Sequence, residues 1–186
     1  MNLPTASCGV SVAPRDAACH PSPRFIPVAS YGVFSQDFIK MTKQLTESEV
    51  AKRIGEQLPG AIVGHGDSAV LVESDSILEV CRFLNKTAGL DFDYLINLTG
   101  VDYLDYLEVV YHLASLKHNH MLILKTRCYE REQPTVPSVT TIWQGADFQE
   151  REIYDLLGVR FEGHPNMKRI FLWEGFKGHP LRRDYL

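Results

Sequence analysis

Three strand-like segments, residues 94–101, 107–116 and 120–129, follow one another and are rich in β-branched and aromatic side chains. Only residues 102–106 and 117–119 join them, too few for a crossover, so the strands run antiparallel as a meander. Whatever else folds must pack on that sheet. Ahead of it, Thr46-Glu47-Ser48-Glu49 has the form of a capping box, and Val50, Ile54 and Leu58 then share one helical face. Pro59-Gly60 stops that helix. Residues 61–63 and 69–72 are short apolar runs around Gly64-His65-Gly66-Asp67, which predicts a hairpin. Ser74 or Asp75 caps a second helix with Ile77, Leu78, Cys81 and Leu84 inward and Gly89 at its end. Beyond Pro134 and Pro137, helical period returns over residues 138–158, with Trp143, Phe148, Ile153, Leu156 and Leu157 as its apolar positions. This order predicts an α+β fold: an antiparallel sheet of hairpin plus three-strand meander, with packed helices and then an extended irregular C-terminal arm.

The first 40 residues differ. They hold five of the ten prolines, show no helical or strand period, and lack the basic start and apolar stretch of a secretory signal. The expected division is an extension or mis-started N-terminus over 1–40, a domain over 41–158 and an interface arm over 159–186. With 186 residues and 45% apolar content the chain buries a core without staples. A net charge of −4 argues against a dedicated nucleic-acid binder. Cys8, Cys19, Cys81 and Cys128 form no C-x-x-C pair, so the chain is expected to carry no iron–sulfur cluster or zinc site of its own.

The C-terminal stretch is the most distinctive. Gly163-His164-Pro165 recurs as Gly178-His179-Pro180, followed by Lys168-Arg169 and Arg182-Arg183 respectively. From Gly163 onward five Lys/Arg stand against Glu174 and Asp184, with Phe171, Trp173 and Phe176 interspersed. Aromatics and arginines without regular structure suit an interface arm. The same composition also suits a loop covering the domain's own sheet, and composition does not separate the two.

The run Glu150-Arg151-Glu152-Ile153-Tyr154-Asp155-Leu156-Leu157-Gly158-Val159-Arg160-Phe161-Glu162-Gly163-His164-Pro165, continued by Arg169-Ile170-Phe171-Leu172, closely resembles the signature of one family. That family is the C subunit, or 30-kilodalton subunit, of the respiratory NADH–quinone oxidoreductase (complex I). Gly178-His179-Pro180-Leu181-Arg182-Arg183-Asp184 is similar to its second hallmark, and the likeness extends over roughly residues 41–186. The resemblance implies a non-catalytic peripheral-arm subunit of a proton-translocating NADH:quinone oxidoreductase. Flavin, iron–sulfur clusters and quinone then lie on partner subunits, and this chain holds no cofactor, metal or catalytic residue. It further implies docking on the large quinone-site subunit, contact with iron–sulfur subunits, and an indirect, peripheral place on the cytoplasmic side of the inner membrane, with an organellar inner membrane as the lesser alternative. The interface residues carried over are Glu150, Arg151, Glu152, Asp155, His164, Pro165, Arg169, Gly178, His179, Pro180, Arg182, Arg183 and Asp184. Spacing alone makes Arg151 and Asp155 an i,i+4 pair on a helix face.

Other readings carry less. The equivalent subunit of a membrane-bound nickel–iron hydrogenase or a ferredoxin-fed complex is the alternative within the same class. His118 and His120 with His112 have no carboxylate or cysteine near them in sequence to complete a metal site. Histidine as a residue type suits acid–base work near neutrality, which makes His164 and His179 candidates, but no nucleophile or paired carboxylate travels with them. A stand-alone soluble enzyme or binding module would have to use these histidine turns.

Overall fold

The computed structural model describes residues 43–66 and 68–185; the expected extension over residues 1–40 lies outside them. The elements in chain order are β1 (Lys43–Gln44), α1 (Glu47–Gln57), β2 (Ile62–Gly66), β3 (Ala69–Val72), α2 (Ile77–Lys86), β4 (Tyr94–Asp102), β5 (Leu107–Ser115) and β6 (His120–Cys128). They are followed by β7 (Thr135–Pro137), α3 (Ala146–Leu157) and β8 (Arg160–Glu162). The fold is α+β, as the element order predicts.

The meander forms with β5 antiparallel to both β4 and β6. The hairpin forms too, but β2 runs on through Gly66, so the glycines expected in the turn lie in the strand. Hairpin and meander join through a parallel pairing of β3 with β6, in the order β2-β3-β6-β5-β4, and β1 adds to β6 alongside. Burial alternates strictly along β6. Its inward residues Leu122 and Leu124 meet Val50 and Ile54 of α1 and Ile77, Val80, Cys81 and Leu84 of α2 in one core. Met121, Ile123, Lys125 and Arg127 remain half-buried on the other face. The two predicted helices stand where their apolar faces place them. Thr46 gives α1 its first carbonyl contacts but makes no side-chain cap, and a short 3-10 turn over Ser74–Ser76 leads into α2.

The third helix is shorter than its period suggests. It begins at Ala146, and residues 138–145 are irregular, with turns at 140–142 and 144–145. The reason is tertiary. Both oxygens of Glu150 are taken by the segment before the helix: Ser138 Oγ donates at 2.7 Å and the Val139 N–H at 2.8 Å. Trp143 is buried, but between these turns, where its indole N–H donates to the Phe92 carbonyl at 3.2 Å. Phe148, expected on the apolar face, is exposed beneath the Arg151 guanidinium. Parallel pairing of β7 with β8 places the helix between them, so residues 160–162, expected in the arm, are sheet.

α3 packs directly against β4 because residue 100 is glycine: a Cβ there would lie 2.5 Å from Leu157 Cδ1 and 3.1 Å from Ile153 Cγ2. Close backbone approach of this kind is what a strand glycine permits. Among the described residues no helix is long and apolar enough to cross a membrane.

Candidate functional site

Beyond β8 the chain is irregular, and α3 holds it. Asp155 has no exposed surface. One of its oxygens accepts the backbone N–H groups of Ile170, Phe171 and Leu172 at 3.0, 2.7 and 2.9 Å, and the other accepts from Arg169 at 2.9 Å. Burial raises the Asp155 carboxyl, but the three N–H donors and Arg169 outweigh it and hold the group below its usual range. The arm is thus wrapped around one carboxylate.

Arg151 serves the same segment from one helical turn earlier. Its guanidinium donates to the carbonyls of Lys168 and Arg169, and its ion contact is with Asp147 at 3.9 Å. The pair with Asp155 suggested by i,i+4 spacing does not form, because both side chains bind arm backbone instead. Glu152, between them, faces solvent.

The two Gly-His-Pro turns dock on the same helix. The His164 imidazole is fully enclosed. Its Nδ1 accepts the Asn166 N–H at 3.0 Å, which leaves Nε2 protonated to donate to the Asp147 carbonyl at 3.2 Å. The His179 Nδ1–H donates to the Asp155 carbonyl at 2.9 Å, and burial pushes that imidazole below its usual pKa, hence neutral at pH 7. Both histidines tie the turns to the backbone of α3, His164 through Nε2 and His179 through Nδ1. Pro165 is exposed in the first turn and Pro180 half-buried in the second, while the Gly178 carbonyl accepts from Arg169.

The arm's end is fastened near the helix C-terminus. Arg182 donates to the Leu157 carbonyl at 2.6 Å and the Arg131 carbonyl at 2.9 Å, satisfying an acceptor the helix end leaves open. Gly158 sits at φ +80°, and a Cβ there would lie 2.6 Å from His179 and 2.8 Å from Arg182. Gly158→Ala is expected to lower the stability of the domain by about 2 kcal/mol, through left-handed strain and displacement of both ties. Urea denaturation of the two proteins checks it.

Two residues that sequence reasoning passed over complete the fastening. Asp102, at the end of β4, is 5% exposed and takes a bidentate pair from Arg131 at 2.7 and 3.0 Å. It also accepts the backbone N–H groups of Leu104 at 2.8 Å and Arg183 at 3.0 Å, and Arg131 reaches on to Asp184 at 2.9 Å. Arg131, with those N–H groups, holds the Asp102 carboxyl well below the usual range. The signal in the sequence was an aspartate closing an apolar strand, with no indication of its partners.

What the arm leaves outside is apolar and cationic. Phe171 is 62% and Trp173 69% exposed, with Leu181 and the Arg183 side chain also in solvent. Trp173 and Phe176 meet edge to face at 4.8 Å, and Arg169 lies over Phe176. Among the described residues the Arg183 guanidinium has no hydrogen-bond partner.

Among the carboxyls of the described residues with a shifted pKa, Glu150 is the one raised rather than lowered. Burial lifts it from 4.5 to about 7 against the pull of Ser138 and Val139, and Asp147 adds like charge. A raised acid contributes stability that is complete below about 4.5 and lost as pH rises through about 7. Glu150→Gln is therefore expected to flatten the decline in stability between those values and to gain about 2 kcal/mol over the parent at pH 8. Thermal melts across that pH range measure it.

No metal constellation is present among the described residues. His118 binds Asp91 at 2.7 Å and His120 the Leu90 carbonyl at 2.8 Å, so these rings are engaged within the fold. Cys81 and Cys128 are free and buried, and burial pushes both thiols up, Cys128 to about 11, away from the thiolate a ligand or nucleophile requires.

Fold and site together define a class: an α+β domain that spends its buried charges on strapping an aromatic, cationic C-terminal arm to its last helix. The chain belongs to the family described as respiratory-chain NADH dehydrogenase, 30 Kd subunit, which residues 70–186 match. It is 45% identical over 124 residues to the NADH-quinone oxidoreductase C subunit numbered 2 in Rhizobium meliloti, covering 65% of this chain and 67% of that one. It is 43% identical over 147 residues to the corresponding C subunit of Roseiflexus castenholzii, covering 75% and 84%. Among solved structures it resembles a chain of the membrane-bound sulfane sulfur reductase, an archaeal respiratory membrane complex. That likeness has a TM-score of 0.62 at 26% identity and covers 74% of this chain and 84% of the other.

Proposed function

We propose that this chain is a non-catalytic peripheral-arm subunit of a proton-translocating NADH:quinone oxidoreductase, seated on the cytoplasmic side of the inner membrane. Its arm docks on the large quinone-site subunit, beside iron–sulfur subunits, and supports assembly and electron transfer to quinone. It needs no flavin, cluster or quinone of its own.

The observation that carries this reading is the exposed crest of Phe171, Trp173, Leu181 and Arg183, tied to the domain through Asp155, Arg151 and Arg182. Rigid aromatics beside an unpaired arginine are the composition of interface hot spots, and preordering lowers the cost of binding. In this reading the arm packs one side on its own last helix and offers the other to a neighbouring subunit.

Membranes from cells lacking the chain are expected to lose NADH-dependent quinone reduction and to regain it when the chain is restored. Full activity without it would contradict the proposal. Arg182 is an internal tie, so Arg183 is the cleaner probe of contact. Arg183→Glu is expected to leave melting unchanged and to reduce co-purification of neighbouring subunits about tenfold.

A further inference from the structure

We propose that the turn between β4 and β5 is a second docking element, a preformed apolar tip that enters an apolar, basic-rimmed pocket on the same neighbouring subunit that receives the arm. The inference rests on the docking role proposed above.

Leu104 is 51% exposed and sits at φ +70°, a left-handed conformation where glycine or asparagine would be ordinary. A strained residue persists only where its surroundings impose it. Here Asp102 accepts the Leu104 N–H, and the Tyr103 N–H closes the turn on the Tyr106 carbonyl at 3.0 Å. The result presents an isobutyl group to solvent in a fixed direction.

Its surroundings are aromatic. Tyr103 stacks on Tyr106 at 5.1 Å, Tyr106 meets Tyr129 at 5.6 Å, and Arg127 lies 4.6 Å over the Tyr106 ring. Tyr103 and Tyr129 are exposed. Tyrosine and arginine around one projecting aliphatic side chain, ordered in advance, match the make-up of a protein-binding hot spot.

Continuity and charge name the occupant. Asp102 holds both the tip, through Leu104 N–H, and the arm's end, through Arg183 N–H, while Arg131 bridges Asp102 to Asp184. Tip and arm are therefore fastened to one carboxylate, side by side, and in this proposal face adjoining parts of one partner. Asp105, Glu130 and Glu132 stand exposed near the tip, and among the described residues none has an ion-pair partner. An acidic rim calls for Lys or Arg around the receiving pocket, and it disfavours insertion into an anionic lipid surface.

The test uses the complex purified in mild detergent from its native membranes, with Leu104 or, separately, Trp173 replaced by a benzophenone photo-crosslinking residue. Adducts from both positions to one and the same subunit are expected. Adducts from position 104 only to lipid or detergent, or to a different subunit from position 173, would overturn the tip's assignment and leave the arm's role standing. No protein adduct from either position would overturn both. A second arm uses Leu104→Asn, which suits the left-handed backbone and so preserves the turn. It is expected to keep the melting transition and to lower recovery of the neighbouring subunit about tenfold, with Leu104→Met restoring it. Undiminished recovery with Leu104→Asn would refute the proposal.

Discussion

Asp155→Ala is expected to release the arm and cost the domain about 3–5 kcal/mol. The carboxylate is fully buried and gathers three backbone N–H groups and one guanidinium, so its removal leaves four donors and a charge without their acceptor. At this chain length a loss of that size lowers the melting temperature by roughly 10 °C. The cleavage pattern changes as well: residues 163–185 become accessible to protease while the sheet remains protected. An unchanged melt and digest would mean that the arm is held by some other contact.

Asp102→Asn is expected to produce the second-largest effect, about 2–4 kcal/mol, because it weakens the bidentate pair with Arg131 and the acceptor shared by Leu104 and Arg183. Its pH signature separates it from a general packing defect. Asp102 and Asp155 are both held below the ordinary carboxylate value of 3.8. Acids lowered by folding contribute stability that is present above the unfolded pKa and lost as pH falls through the folded one. The parent protein should therefore lose stability steeply below about pH 4, and Asp102→Asn should lose less there than it lost at neutrality. Parallel slopes in acid would show that the Asp102 contacts contribute little. Combining it with Asp155→Ala tests whether the two fastenings act as a unit, since sites sharing one arm deviate from additivity.

The sheet was legible in sequence where its contacts are local. The meander follows from β-branched runs with connections too short for anything but antiparallel neighbours. The parallel joint of β3 to β6 was not legible, because it pairs segments separated by two strands and a helix, and nothing local encodes it. The start of α3 was misplaced for the same kind of reason: residues 138–145 carry helical spacing, yet Glu150 and the Phe92 carbonyl recruit them into turns.

At the site, residue identities were legible and their uses were not. Glu150, Arg151 and Asp155 stood out as charges on one helix, but spacing pairs side chains with side chains, whereas their partners here are mostly backbone groups of the arm and of the preceding turn. Gly158 closes the segment with helical period; that His179 and Arg182 fill the space a Cβ would take emerges only in three dimensions. Asp102 and Arg131, 29 residues apart, carried no local signal at all.

The most direct test of the central claim is affinity purification of the tagged chain from its native membranes in mild detergent, followed by mass spectrometry of the co-eluting subunits. The proposal predicts a large quinone-site subunit, iron–sulfur subunits and an NADH-oxidising module with the parent chain, and their loss with Asp155→Ala. A folded chain that elutes alone would contradict it.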